Sequence, residues 1–110
     1  MVEETLNRIE QEIVENDLLD DQKKQELRDL LAQLRVEILK LNTTNSSEAA
    51  SIANYAETSF REAIRREKST ELLRHSVEGL SISARKFEIT HPTLTGIINN
   101  IGQTLVNIGI

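Results

Sequence analysis

Apolar residues recur at steps of three and four through most of this sequence, a rhythm that dictates helices each burying one face. Val2, Leu6, Ile9 and Ile13 make one stripe. Leu27, Leu31, Leu34, Ile38 and Leu41 make a second, widened by Leu30. A third frame runs Ala49, Ile52, Ala56, Ser59, Ala63, Arg66, Thr70, Leu73, Val77, Leu80, Ala84, Phe87. Leu94, Ile98, Ile101, Leu105 and Ile108 make the last. One Pro and four Gly in 110 residues leave too few turns for a sandwich or barrel. Two Phe, one Tyr and no Trp leave the core to aliphatic side chains. The expected fold is all-α, a coiled-coil-like helical bundle of about four helices in a single domain.

Cap and breaker residues set the expected boundaries. Asn16 and Asp17 end the first helix. Asp20 suits the N-cap of the second, with Asp21 in the first turn where the helix dipole favours acid. Residues 1–41 therefore form an acidic helical hairpin, joined by a connection short enough to make its helices antiparallel. Residues 42–47 form a polar loop, with Ser46 or Ser47 placed to cap the next helix. From 48 to 89 the frame never slips, which predicts one long helix on the order of 60 Å. The alternative is a break near Lys68, at 68–70, with Ser69 or Thr70 capping a new helix before Glu71. Gly79 inside this span suggests close packing there. Thr90, His91 and Pro92 end it, because proline restricts the residue before it and suits the first turn of a new helix. The last helix covers 92–109. A helix as long as 48–89 outreaches the others and leaves apolar surface at one end, so a homodimer, or a higher even oligomer, is expected.

Charge is spread unevenly. The net charge is −5, with eleven acids and six bases in residues 1–41, seven of each in 42–90, and none in 91–110. An acidic chain repels phosphate backbones, which argues against non-specific nucleic-acid binding. The exception is the basic stretch 61–74, where Arg61 and Arg65 share a helical face with Lys68 and are joined by Arg66 and Arg74. Glu57, Glu62, Glu67 and Glu71 interleave at helix-pair spacing, so intrahelical ion pairing is the expected use of these bases. No aromatic residue lies between the bases to stack on nucleotides.

No cysteine means no disulfide, thiolate nucleophile or thiolate metal ligand. The N-terminus carries acid where a signal peptide carries base, and no window approaches the ~18 consecutive apolar residues of a membrane span. Asn42 and Asn45 each open a glycosylation triplet, which without secretion is simply polar loop. A cytoplasmic location is expected.

Candidate chemistry is sparse. Glu88 and His91 have the Glu-x-x-His spacing of helical di-iron sites, but such sites need a second copy that this chain lacks. His91 before Pro92 reads instead as a turn residue. His75, with Glu71 four before and Glu78 three after, could hold a divalent ion, though a solvated charged face is the simpler reading. No serine is paired with a histidine and an acid in a recognisable motif. The scattered glycines form no phosphate-cradling loop, and no cofactor is expected. The C-terminal helix is the most unusual element. Thr95, Gly96, Asn99, Asn100, Gln103 and Asn107 lie opposite its apolar stripe, giving an uncharged polar side. Membrane-surface helices usually show Lys or Arg there, whereas neutral amides meet another chain without desolvating a charge.

The stretch Phe87-Glu88-Ile89-Thr90-His91-Pro92-Thr93-Leu94, with a chain end of Leu105-Val106-Asn107-Ile108-Gly109-Ile110, resembles a bacterial family of short helical proteins, domain of unknown function 4404. Members show a Phe-Glu-x-x-His-Pro-Thr-Leu turn and finish on Gly-Ile. The hairpin of residues 1–41 is loosely similar to that family's opening, and residues 72–110 are similar more specifically. Typical relatives are shorter, and residues 43–70 look like extra length. The resemblance implies a bacterial, cytoplasmic protein and no particular activity. The expected function is a non-enzymatic structural or protein-interaction module acting through helix packing and self-association. Its interface or core residues would be Leu73, Val77, Leu80, Phe87, Leu94, Ile98, Ile101, Leu105 and Ile108. The alternatives are a regulatory protein touching nucleic acid through Arg61 to Arg74, and a metal-dependent helical-bundle enzyme.

Overall fold

The structure, a computed structural model, describes residues 1–109. They form five helices: α1 (Val2–Glu15), α2 (Asp21–Asn42), α3 (Ser46–Ile64), α4 (Thr70–Arg85) and α5 (Pro92–Gly109). The apolar stripes become the core as their spacing requires. Leu6, Ile9 and Ile13 of α1, Leu27, Leu34, Ile38 and Leu41 of α2, and Leu94, Ile98, Ile101 and Leu105 of α5 are all fully enclosed. Asp20 caps α2 as expected, its carboxylate accepting from the Lys23 amide at 2.8 Å.

The span 48–89 is not one helix. Its bulk divides into α3 and α4, which fold back on each other, so the bundle has five helices and not four. The longest dimension of the molecule is 37 Å, too short for a rod of about 60 Å. Two causes are local. Arg65 is extended (φ −72°, ψ 154°), and Ser69 starts α4 by accepting from the Leu72 amide at 3.3 Å. The three–four count continues in the sequence across the break, but residues 65–69 are not helical and carry no rotational phase from α3 to α4. Between Ala63 and Leu73 the frame places Arg66 and Thr70, both exposed, so the stripe has no apolar content to carry through. The end of α3 also has a tertiary support. Asn16 donates from its side-chain amide to the Ile64 carbonyl at 2.8 Å, while its side-chain oxygen accepts from Leu18 and Leu19. One side chain thus shapes the α1–α2 turn and holds the last turn of α3.

Other boundaries shift slightly. Neither Ser46 nor Ser47 is the N-cap of α3; that position is Asn45. Helix α4 stops at Arg85, short of residue 89, and residues 86–90 continue as turns.

The small side chains of α3 explain its place. Ala49, Ala53, Ala56, Ser59 and Ala63 are buried along it, and it packs against all four other helices. A helix approached from several sides needs little side-chain volume between axes. The buried Ser59 hydroxyl is satisfied by donating to the Tyr55 carbonyl at 2.8 Å. Helix α1 packs only on α2 and α3, while α5 packs on α2, α3 and α4.

Candidate interaction surface

The aliphatic residues expected at an interface lie inside the chain's own bundle. Leu73, Leu80, Leu94, Ile98, Ile101 and Leu105 are buried, Phe87 nearly so, and Val77 and Ile108 partly. They are core. The single long helix expected to overhang and drive dimerisation is not formed, since α3 and α4 pack on each other, while Leu72, Ile82 and Ile89 remain exposed.

The corner between α4 and α5 holds the Phe-Glu-x-x-His-Pro-Thr-Leu residues. Phe87 plugs the core from the turn, and its carbonyl accepts from the His91 amide at 2.6 Å. The His91 ring stands edge-on to Phe87, with centroids 6.0 Å apart and an interplanar angle of 76°. Pro92 opens α5 at the position where its missing N–H costs nothing. Lys86 lies 5.8 Å from the Phe87 ring centre and pairs with Glu48 of α3 at 2.7 Å, tying the corner to the start of that helix. Glu88 is exposed and faces no second Glu-x-x-His. His75 and Glu71 stand 4.0 Å apart on the open face of α4. Among the described residues no three His, Asp or Glu side chains gather in a form that could hold a metal ion.

The basic stretch is not one face. The turn at 65–69 separates Arg61 and Arg65 from Arg74. Arg61 pairs with Glu57 of its own helix at 3.2 Å, as the spacing predicts, and also with Glu12 of α1 at 3.0 Å. Arg65 pairs with Glu62, and Arg66 with Asp17. On α1, Arg8 reaches Glu57 at 2.8 Å. The result is a ridge of alternating charge that clamps α1 onto α3. The hydrogen bond from Arg8 holds the Glu57 carboxyl below the usual carboxylate range, helped by the charges of Arg8 and Arg61 and opposed by partial burial. The Arg8 guanidinium is shifted upward chiefly by its bond to Glu57, and that of Arg61 by its bond to Glu12. Of the basic stretch, Arg61, Arg65 and Arg66 are used within the fold.

What remains is the outer side of α5. Gly96, Asn99, Asn100, Gln103 and Asn107 are exposed there, and Thr95 is half-buried. Eighteen residues of helix carry no charged side chain. Gly96, Asn100, Gln103 and Asn107 repeat the step of four, three and four found on the buried side, a regularity already present in the sequence but overshadowed by the Leu/Ile stripe.

The fold and this surface define an all-helical bundle in which, among the described residues, the outer face of α5 carries no charged side chain. A family model described as Domain of unknown function (DUF4404) matches residues 27–110, and the chain belongs to that family. The matched stretch includes residues 43–70, and α3 within them packs on every other helix. Residues 1–26, with α1, lie outside it. No curated protein and no solved structure matches the chain. No helix among the described residues is long and apolar enough to cross a membrane.

Proposed function

We propose that this chain is a non-enzymatic protein-interaction module of the bacterial cytoplasm that self-associates through the outer face of α5. One observation carries the reading. In a chain of net charge −5, the exposed face of an eighteen-residue helix is entirely neutral, with Asn99, Asn100, Gln103 and Asn107 presented to solvent. Solvation alone does not ask for this, since exposed helical faces usually carry charge. Association supplies a reason, because a neutral amide can be desolvated and re-paired at far lower cost than an ion. A protein other than a second copy would find the same donors and acceptors. The family resemblance supports the bacterial, cytoplasmic setting.

Sedimentation velocity on the wild type and on Gln103→Glu tests the proposal. The expected result is a dimer for the wild type and a monomer for the variant, which places two carboxylates in the contact. A wild type that stays monomeric at its highest soluble concentration overturns self-association.

A further inference from the structure

We infer that α1 is an acidic strap on a self-contained four-helix bundle, fastened by ion pairs and opening as a unit while α2–α5 stay folded. The packing of helices divides the molecule unequally. Helices α2, α3, α4 and α5 close a ring, each packing on the next and α5 returning to α2, with α3 also against α5. Helix α1 stands outside this ring and touches only α2 and α3. Its departure breaks no contact among the other four, whereas the loss of any one of those opens the ring.

The charge on α1 is as distinct as its position. Its fourteen residues hold five glutamates and one arginine, a net charge of −4 within a chain of −5. Among the described residues, every ion pair that joins two helices has one member on α1. Glu10 meets Arg28 at 3.3 Å and Arg35 at 3.9 Å on α2, while Glu12 meets Arg61 and Arg8 meets Glu57 on α3. The tie from Lys86 to Glu48 leaves from the turn after α4. The ring itself is joined by apolar packing, and α5 has no charged side chain to contribute. Arg8 and Glu12 meet Glu57 and Arg61 in the same chain order, so α1 runs parallel to α3 and their dipoles oppose the contact. Burial of Val2, Leu6, Ile9 and Ile13 is offset by the entropy of ordering the helix, so the ion pairs count in the balance. Their arginines are 27–53% exposed, and salt screens them. Opening carries most of the net negative charge away from Arg28, Arg35 and Arg61, and uncovers the apolar surface that α1 shields on α2 and α3.

Hydrogen exchange of the full chain, resolved by residue at low and at high salt, tests this with α5 as the internal reference. The expected result is lower protection across α1 than across α5, reduced further by salt in α1 alone. Glu10→Gln, at a partly exposed position, removes the charge that faces two arginines. It should lower protection in α1 by about two- to fivefold, the worth of exposed ion pairs, and leave α5 unchanged. If α1 and α5 share one protection level that falls together, α1 belongs to a single cooperative unit and the strap is disproved. If α1 opens separately but neither salt nor Glu10→Gln alters it, the fastening is not ionic and the inference falls. The outcome is independent of association through the outer face of α5, since α1 does not touch that helix.

Discussion

At Gly102 a methyl group would meet Val77 Cγ1 at 2.9 Å, and at Gly96 it would meet nothing within 4 Å, although both lie inside α5. None of the described glycines has a positive φ, so their value here is space and not backbone freedom. The same substitution should therefore have opposite signs at the two sites. Gly96→Ala should stabilise dilute, monomeric protein by about 0.5–1 kcal/mol, the usual helix-propensity gain. Gly102→Ala gains as much in propensity but overpacks against a β-branched neighbour, at a cost of about 1–3 kcal/mol, and should be destabilising on balance. Urea denaturation of the two variants checks both signs; equal shifts would contradict this account of α5 packing. That both glycines are helical was readable from the sequence. Which of them another side chain presses upon was not, because Val77 lies on a different helix.

At the scale of elements, α1 is held by two kinds of force. Val2, Leu6, Ile9 and Ile13 are buried, each stabilising by roughly 1.5–3 kcal/mol if exposed on release. The ridge of Arg8, Glu12, Glu57 and Arg61 adds direction, setting α1 along α3. Its bases are about half exposed, so each pair contributes modestly and is screened by salt. The Glu57 carboxyl titrates below its ordinary range in the folded state, because Arg8 donates to it and both arginines favour its charge. A depressed folded pKa contributes stability above the unfolded value of about 4.3, which is lost as pH falls through the folded value. Glu57→Gln should thus melt below the wild type at neutral pH, with the gap closing as the solution is acidified through and below that range. A gap independent of pH would assign the loss to packing. Composition and spacing foretold the pairing of Arg61 with Glu57, four residues apart on one helix. They could not foretell Glu12 or Arg8, which reach this cluster from another helix.

For the whole molecule, the distribution of charge makes a prediction about association. Two copies of net charge −5 repel, while the proposed contact contains no ion pair to be screened. Added salt should therefore leave the dimer intact or tighten it, as read by sedimentation across a salt series. Binding through Arg61, Arg65 and Lys68 to a phosphate backbone would weaken steeply instead. The arrangement of helices supports the first outcome, since Arg61 and Arg65 already hold carboxylates within the chain.

The sequence by itself determined the class of fold, four of the five helix starts to within two residues, and which face of each helix is buried. These are local consequences of a period near 3.6, cap residues and one proline. It also contained the neutral face of α5, legible as twenty final residues without Asp, Glu, Lys or Arg. Only the tertiary structure decided that 48–89 is bent back on itself, since the three–four spacing happens to continue across the turn and the Asn16 side chain that holds the end of α3 lies 48 positions away. It likewise decided that the α5 stripe of Leu94, Ile98, Ile101 and Leu105 is spent on the chain's own core. A stripe records that a face must be covered, and only the assembled bundle says by what. That leaves the amide row, and the open space beside Gly96, as the part of α5 exposed to solvent.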